Sequence, residues 1–179
     1  MKRINIAIVA AIGLAVCLTA IAQDKHEPKA KAAPTNPQFE SLKKLAGTWT
    51  GPGMSESDGP STLTYKVVAG GSAVMETIMP GTEHEMVTMY YMDGNDLVLT
   101  HYCMLGNQPH MKAQPSKDPK VISFVCDGKG SNMKSEKDAH MHSATFTLVD
   151  NNHILTEWTM LEDGKETHRA KFDLTRKGA

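Results

Sequence analysis

The chain has 179 residues, 40% of them hydrophobic and 22% charged, with 19 basic and 20 acidic residues and a formal net charge of −1. That length suits one domain with a real core, and that composition excludes a disordered chain. The near-balanced charge, with no basic stripe, argues against nucleic acid as a partner.

The first segment reads as an export signal. Met1, Lys2 and Arg3 give a positive start, an apolar run follows from Ile4 to Ala22, and Ala20-Ile21-Ala22 supplies a small-x-small exit before the polar Gln23-Asp24-Lys25. The run nearly reaches spanning length, so an uncleaved anchor is the competing reading. Cys17 follows Val16 rather than a small residue, which argues against lipid attachment. Cleavage after residue 22 removes Lys2, Arg3 and Cys17. It leaves 17 basic and 20 acidic residues, a formal charge of −3, and no remaining membrane span. The expected location is therefore the periplasm or the exterior. Residues 23–35 are charged, Ala- and Pro-rich and without apolar period, and read as a flexible linker before a domain over 36–179.

Asn36 can cap a helix, Pro37 suits its first position and Glu40 lies in its first turn. Phe39, Leu42 and Leu45 form one apolar stripe, and Gly47 ends the element. From Gly47 the apolar period changes to two, predicting ten strands near 47–54, 61–68, 72–79, 85–92, 96–103, 108–114, 120–126, 141–149, 153–161 and 166–176. Asp93-Gly94-Asn95-Asp96, Gly106-Asn107, Asp150-Asn151-Asn152 and Asp163-Gly164 supply tight turns between antiparallel neighbours. Residues 127–139 read as an exposed loop. The prediction is an all-β, roughly ten-stranded, up-and-down antiparallel barrel behind a short helix, since closure removes sticky edges. An open sandwich is the alternative.

Alternation sorts the faces. His101 and Cys103 share the parity of Leu97 and Leu99. His142 goes with Ala144, Phe146 and Leu148, and His168 with Ala170, Phe172 and Leu174. Ile154, Trp158 and Met160 share a face opposite His153 and Glu157.

The segment from Leu42 through Ala46, Gly47, Thr48 and Trp49 to Gly51 resembles the entry of calycins, the group of lipocalin, fatty-acid-binding and nitrobindin-type barrels. Leu99-Thr100-His101-Tyr102-Cys103, Gly106-Asn107-Gln108-Pro109 and His140-Met141-His142 extend the likeness, to uncharacterised secreted bacterial proteins, over most of the domain. The resemblance implies that Trp49 plugs the closed end, that Arg176 from the last strand packs over it, and that the lumen holds one small, largely apolar ligand. The nitrobindin glycine-rich strand is represented only by Gly51-Pro52-Gly53, and no haem-ligating histidine matches. No cofactor is therefore expected.

The expected function is non-catalytic binding of a small hydrophobic molecule. Phe146, Trp158 and Phe172 would supply apolar wall, and His101, Cys103, His142 and His168 the polar contacts. A metal- or haem-binding protein is the alternative, its metal ligands drawn from His101, Cys103, His140 and His142. A solid-core structural or interaction domain is a further one. Twelve methionines and eight histidines raise copper as a candidate, although Met75, Met89 and Met160 sit where strands take a flexible core filler. Two exported cysteines, Cys103 and Cys126, invite a disulfide. If one strand lies between theirs, they stand about 10 Å apart unless the chain curls. No Gly-x-Ser-x-Gly, Walker, His-Glu-x-x-His or dinucleotide motif occurs, and side chains two apart on a strand make a poor nucleophile–base pair.

Overall fold

A computed structural model describes residues 36–53 and 59–178; the export segment and the linker expected over residues 1–35 lie outside it. Among the described residues, no helix is long and apolar enough to cross a membrane. Structure starts with a capped helix, α1 (Pro37–Lys43). The Asn36 side-chain oxygen accepts from the Gln38 amide at 2.9 Å and the Phe39 amide at 3.2 Å, satisfying two donors the helix cannot use itself. The three-residue spacing buries Phe39, Leu42 and Leu45 together.

Ten strands follow: β1 (Gly47–Gly51), β2 (Ser61–Val68), β3 (Ala73–Ile78), β4 (Met86–Asp93), β5 (Asp96–Tyr102), β6 (Gln108–Ala113), β7 (Val121–Ser131), β8 (His140–Asp150), β9 (His153–Glu162) and β10 (Lys165–Arg176). Each pairs antiparallel with its sequence neighbours and β1 closes on β10, so the sheet is an up-and-down barrel without a free edge. The seam is short, with Trp49 opposite Arg176 and Thr50 opposite Thr175. Gly51 is required there: a Cβ at this position would stand 1.9 Å from the Asp173 carbonyl oxygen.

Three local expectations need correction. β7 does not stop near residue 126 but continues to Ser131, where Gln108 and Pro109 of β6 pair with Ser131 and Gly130. Residues 127–131 are exposed strand rather than loop, because Gly128 and Gly130 take positive φ values and let the ladder curl. Met75 and Met89 do not fill the core. They pair across β3 and β4 on the outer face, while Val74, Glu76 and Ile78 point inward. Finally, a bulge on β8 between Met141 and Ser143 breaks the even-parity face just where His142 lies.

Core packing is uneven along the barrel axis. At the end where β1 begins, Phe39, Leu42, Leu45, Trp49 and Leu63 are all buried. Above them stand Tyr90, Phe124 and Phe146, with ring centroids 5.7–6.1 Å apart in tilted and edge-on contacts. Trp49 donates its indole N–H to the Leu45 carbonyl at 2.8 Å. The Arg176 guanidinium lies 4.3 Å from the centroid of the Trp49 ring. It also donates to the carbonyls of Ala46 at 2.7 Å, Lys44 at 2.9 Å and Asn151 at 3.1 Å. One cation thereby satisfies orphan carbonyls beyond α1 and joins them to the β8–β9 turn.

Replacing Arg176 with Ala should lower unfolding stability by about 2–4 kcal/mol, from lost charge-assisted hydrogen bonds and the cation–π contact. Arg176→Lys should recover less than half, because an ammonium cannot span several divergent carbonyls while lying flat on a ring. Urea unfolding of the two variants beside the parent measures both effects.

Candidate functional site

The end of the barrel away from Trp49 holds a cavity of about 300 Å³ lined almost wholly by apolar atoms. Ile78, Ala170, Phe172 and Trp158 form its floor and wall, and Met79, Met86, Met104, Met141 and Met160 surround it. Methionines suit such a rim because unbranched thioethers adapt to different shapes. Met104 and Leu105, on the β5–β6 connection, are among the large apolar residues left exposed. A shallower depression between Pro52, Thr145, Glu157 and Lys171 lies on the outer face of β8–β10. Its lining is open and mixed in polarity, so the lumen is the better-formed site.

The residues proposed from sequence fall into three groups. His101, Cys103, Trp158, His168 and Phe172 line the cavity, with His168 on the exposed rim. Phe146 is fully buried beneath it, packed edge-on to Trp158 at 6.2 Å. His142 is not part of the lining. The β8 bulge gives the inward position to Met141, which pairs with Met160, and both methionines line the cavity. Cys103 and Cys126 are free thiols, separated by β6. Burial pushes both thiols up, so Cys103 is a neutral wall residue rather than a poised nucleophile.

Beneath His101 runs a buried polar network that alternation alone did not single out. Glu76 is fully buried on β3 and accepts hydrogen bonds from the Tyr65 hydroxyl at 2.7 Å and the Tyr90 hydroxyl at 2.6 Å. Thr88 stands directly opposite Glu76 in the ladder. Burial raises the Glu76 carboxyl above its ordinary range, and hydrogen bonds from neighbouring hydroxyls only limit the rise. Burial, and then the Glu76 charge, push both tyrosines well up. Thr88 Oγ1 lies 2.9 Å from His101 Nδ1. An acidic residue on the parity of Val74 and Ile78 was the available sequence signal. Its partners come from β2 and β4, and only the barrel's register brings them to it.

His101 is buried, its ring tilted against Trp158 at a centroid distance of 4.7 Å. Burial lowers its pKa to about 4, so the imidazole is neutral at physiological pH. Among the described residues, His101 Nε2 and Trp158 Nε1 are both buried without a hydrogen-bond partner. Two orphaned polar atoms on adjoining cavity-wall rings stand out, since buried polar groups are normally paired.

The haem carried by the nitrobindin branch of the resemblance does not fit here. The cavity is at the small end of the range for organic ligands, and among the described residues no Arg or Lys lines it to meet propionates. Nor do the four residues named from sequence as a metal set converge. His101 and Cys103 line the cavity, whereas His140 and His142 meet each other, with His140 Nε2 3.2 Å from His142 Nδ1 and Cys126 beside them. Compared with known proteins, the chain matches no family model and no curated sequence.

The depressed His101 pKa gives a pH signature. The unfolded chain takes up this proton near pH 6.5 and the folded barrel only near pH 4. The His101 contribution is therefore intact above pH 6.5 and falls away as the pH drops toward 4, by about 3 kcal/mol in all. As the pH falls across that window the parent should lose about 3 kcal/mol of stability relative to His101→Phe, whichever of the two is the more stable at neutral pH. A constant difference between the two would contradict the assignment.

Proposed function

We propose that this protein is an exported, non-catalytic barrel that binds a small, largely apolar molecule carrying a hydroxyl group. The observation that carries the reading is the pair of orphaned atoms on the cavity wall, His101 Nε2 and Trp158 Nε1. In this reading Thr88 Oγ1 accepts from His101 Nδ1–H across their 2.9 Å contact. Nε2 is then a bare acceptor, and the indole N–H of Trp158 is a donor. A hydroxyl can serve both at once, donating to the imidazole and accepting from the indole. The two rings adjoin with centroids 4.7 Å apart, and the reading requires them to rotate so that both buried atoms reach one ligand oxygen. Each atom left unpaired costs about 1–3 kcal/mol, so a ligand that pairs them recovers binding energy an apolar molecule cannot.

The apolar remainder of the ligand would lie against Phe172, Ala170 and the methionine rim. The cavity volume favours this over a solid-core structural role. The neutral Cys103 thiol favours binding over catalysis. Export rests on the charged start, apolar run and Ala20-Ile21-Ala22 exit of the sequence.

Isothermal titration calorimetry with 1-naphthol and naphthalene tests the reading on the purified protein. The alcohol should bind at least tenfold more tightly, roughly the worth of one net hydrogen bond. His101→Phe should erase that preference, and Ala170→Phe, which fills the cavity, should abolish binding of both. Equal affinity for the two compounds would defeat the hydroxyl assignment, and no binding of either would defeat the lumen as a site.

A further inference from the structure

The bulge that removes His142 from the cavity places it in a second cluster at the same end of the barrel. Cys126 on β7 and His140 and His142 on β8 each offer one ligand atom, and all three atoms lie within 4.8 Å of one another. We propose that Cys126 Sγ, His140 Nε2 and His142 Nδ1 form a three-ligand site for a zinc-class divalent cation, separate from the lumen cavity.

Ligand chemistry and spacing both fit. One thiolate with two imidazoles is a borderline-soft donor set that suits zinc over magnesium or calcium. Zn–N bonds of about 2.0 Å and Zn–S bonds of about 2.3 Å in a tetrahedron put two nitrogens and one sulfur roughly 3.3–3.5 Å apart. The two histidine nitrogens already stand 3.2 Å apart, and the whole set closes onto an ion with side-chain shifts of about 1 Å. Three protein ligands would leave a fourth position for water or a further group.

The surroundings orient these ligands. His140 Nδ1 lies 2.7 Å from the Asp138 backbone carbonyl, which can only accept. The Nδ1 proton is thus fixed there, and Nε2 presents its lone pair to His142 and Cys126. That is the backbone support metal-bound histidines commonly have. The loop carrying Asp138 is pinned in turn, since Asn107 Nδ2 donates to the Ala139 carbonyl at 2.8 Å. His140 is 1% exposed, so its ring is held rather than free to swing. Glu136, on the same loop, lies against Gly128, two residues past Cys126, and places a carboxylate beside the cluster. On binding, the Cys126 thiol proton leaves to solvent and the proton between the two histidines moves to His142 Nε2. Each metal-facing atom then offers a lone pair, and no redox change is involved.

Titration of metal-free protein with Co²⁺ reads the site directly. One equivalent should produce a near-ultraviolet thiolate-to-cobalt charge-transfer band that Zn²⁺ then abolishes. Cys126→Ser should remove the band, His140→Ala should weaken Co²⁺ binding at least tenfold, and Cys103→Ser should leave both unchanged. Circular dichroism of each variant confirms that the barrel is intact, and 1-naphthol binding checks the lumen independently. Absence of a band in the parent, its survival in Cys126→Ser, or its loss in Cys103→Ser would each overturn the site.

Discussion

Closure of this barrel depends on the contact between Arg176 and Trp49. β1 and β10 meet over a short register, extended by the Lys177 amide donating to the Thr48 carbonyl. The Arg176 guanidinium reinforces it. It lies on the Trp49 ring and reaches carbonyls of Lys44, Ala46 and Asn151, tying the helix exit, the first strand, the last strand and the β8–β9 turn to one side chain. A planar, permanently charged group with divergent donors is the chemistry such a junction needs. Gly51 serves the same seam by letting the backbone of β1 pass against Asp173.

Sealing one end decides what the other can be. Trp49, the α1 stripe and the Tyr90–Phe124–Phe146 aromatic cluster occupy the closed half and fill it. The open half is walled by methionines, Ala170 and Trp158, and a cavity remains. Between the halves lies the Glu76 network, a buried carboxyl surrounded by hydroxyls. Such a group is costly unless its partners are fixed, and here they come from adjacent strands in one register. Its far end is His101, whose orientation the network sets through Thr88. The polar character of an otherwise apolar cavity is therefore governed from within the core.

The bulge on β8 has the opposite effect to the regular ladder around it. By inserting one residue it turns Met141 toward the lumen and brings His142 beside His140 and Cys126. One irregularity in the sheet thus separates the lumen wall from a neighbouring cluster of soft donors.

Most of the architecture was legible in the chain itself. A change of apolar period at Gly47, turn residues between successive runs, and uninterrupted short connections are enough to specify ten antiparallel strands. The hydrophobic effect acts on every second side chain, and short links leave only sequence neighbours to pair. Parity also put His101, Cys103, Trp158 and Phe172 on one face, because their strands are regular near the cavity. What the sequence could not determine is where that regularity fails and which strands stand opposite one another. The β8 bulge, the extension of β7 to Ser131 and the outward turn of Met75 and Met89 depend on register and curl across strands. The meeting of Glu76 with Tyr65, Tyr90 and Thr88, and of Cys126 with His140 and His142, depends on the register between neighbouring strands. Alternation along one strand is a local property, whereas a contact between strands exists only once their register and bulges are set.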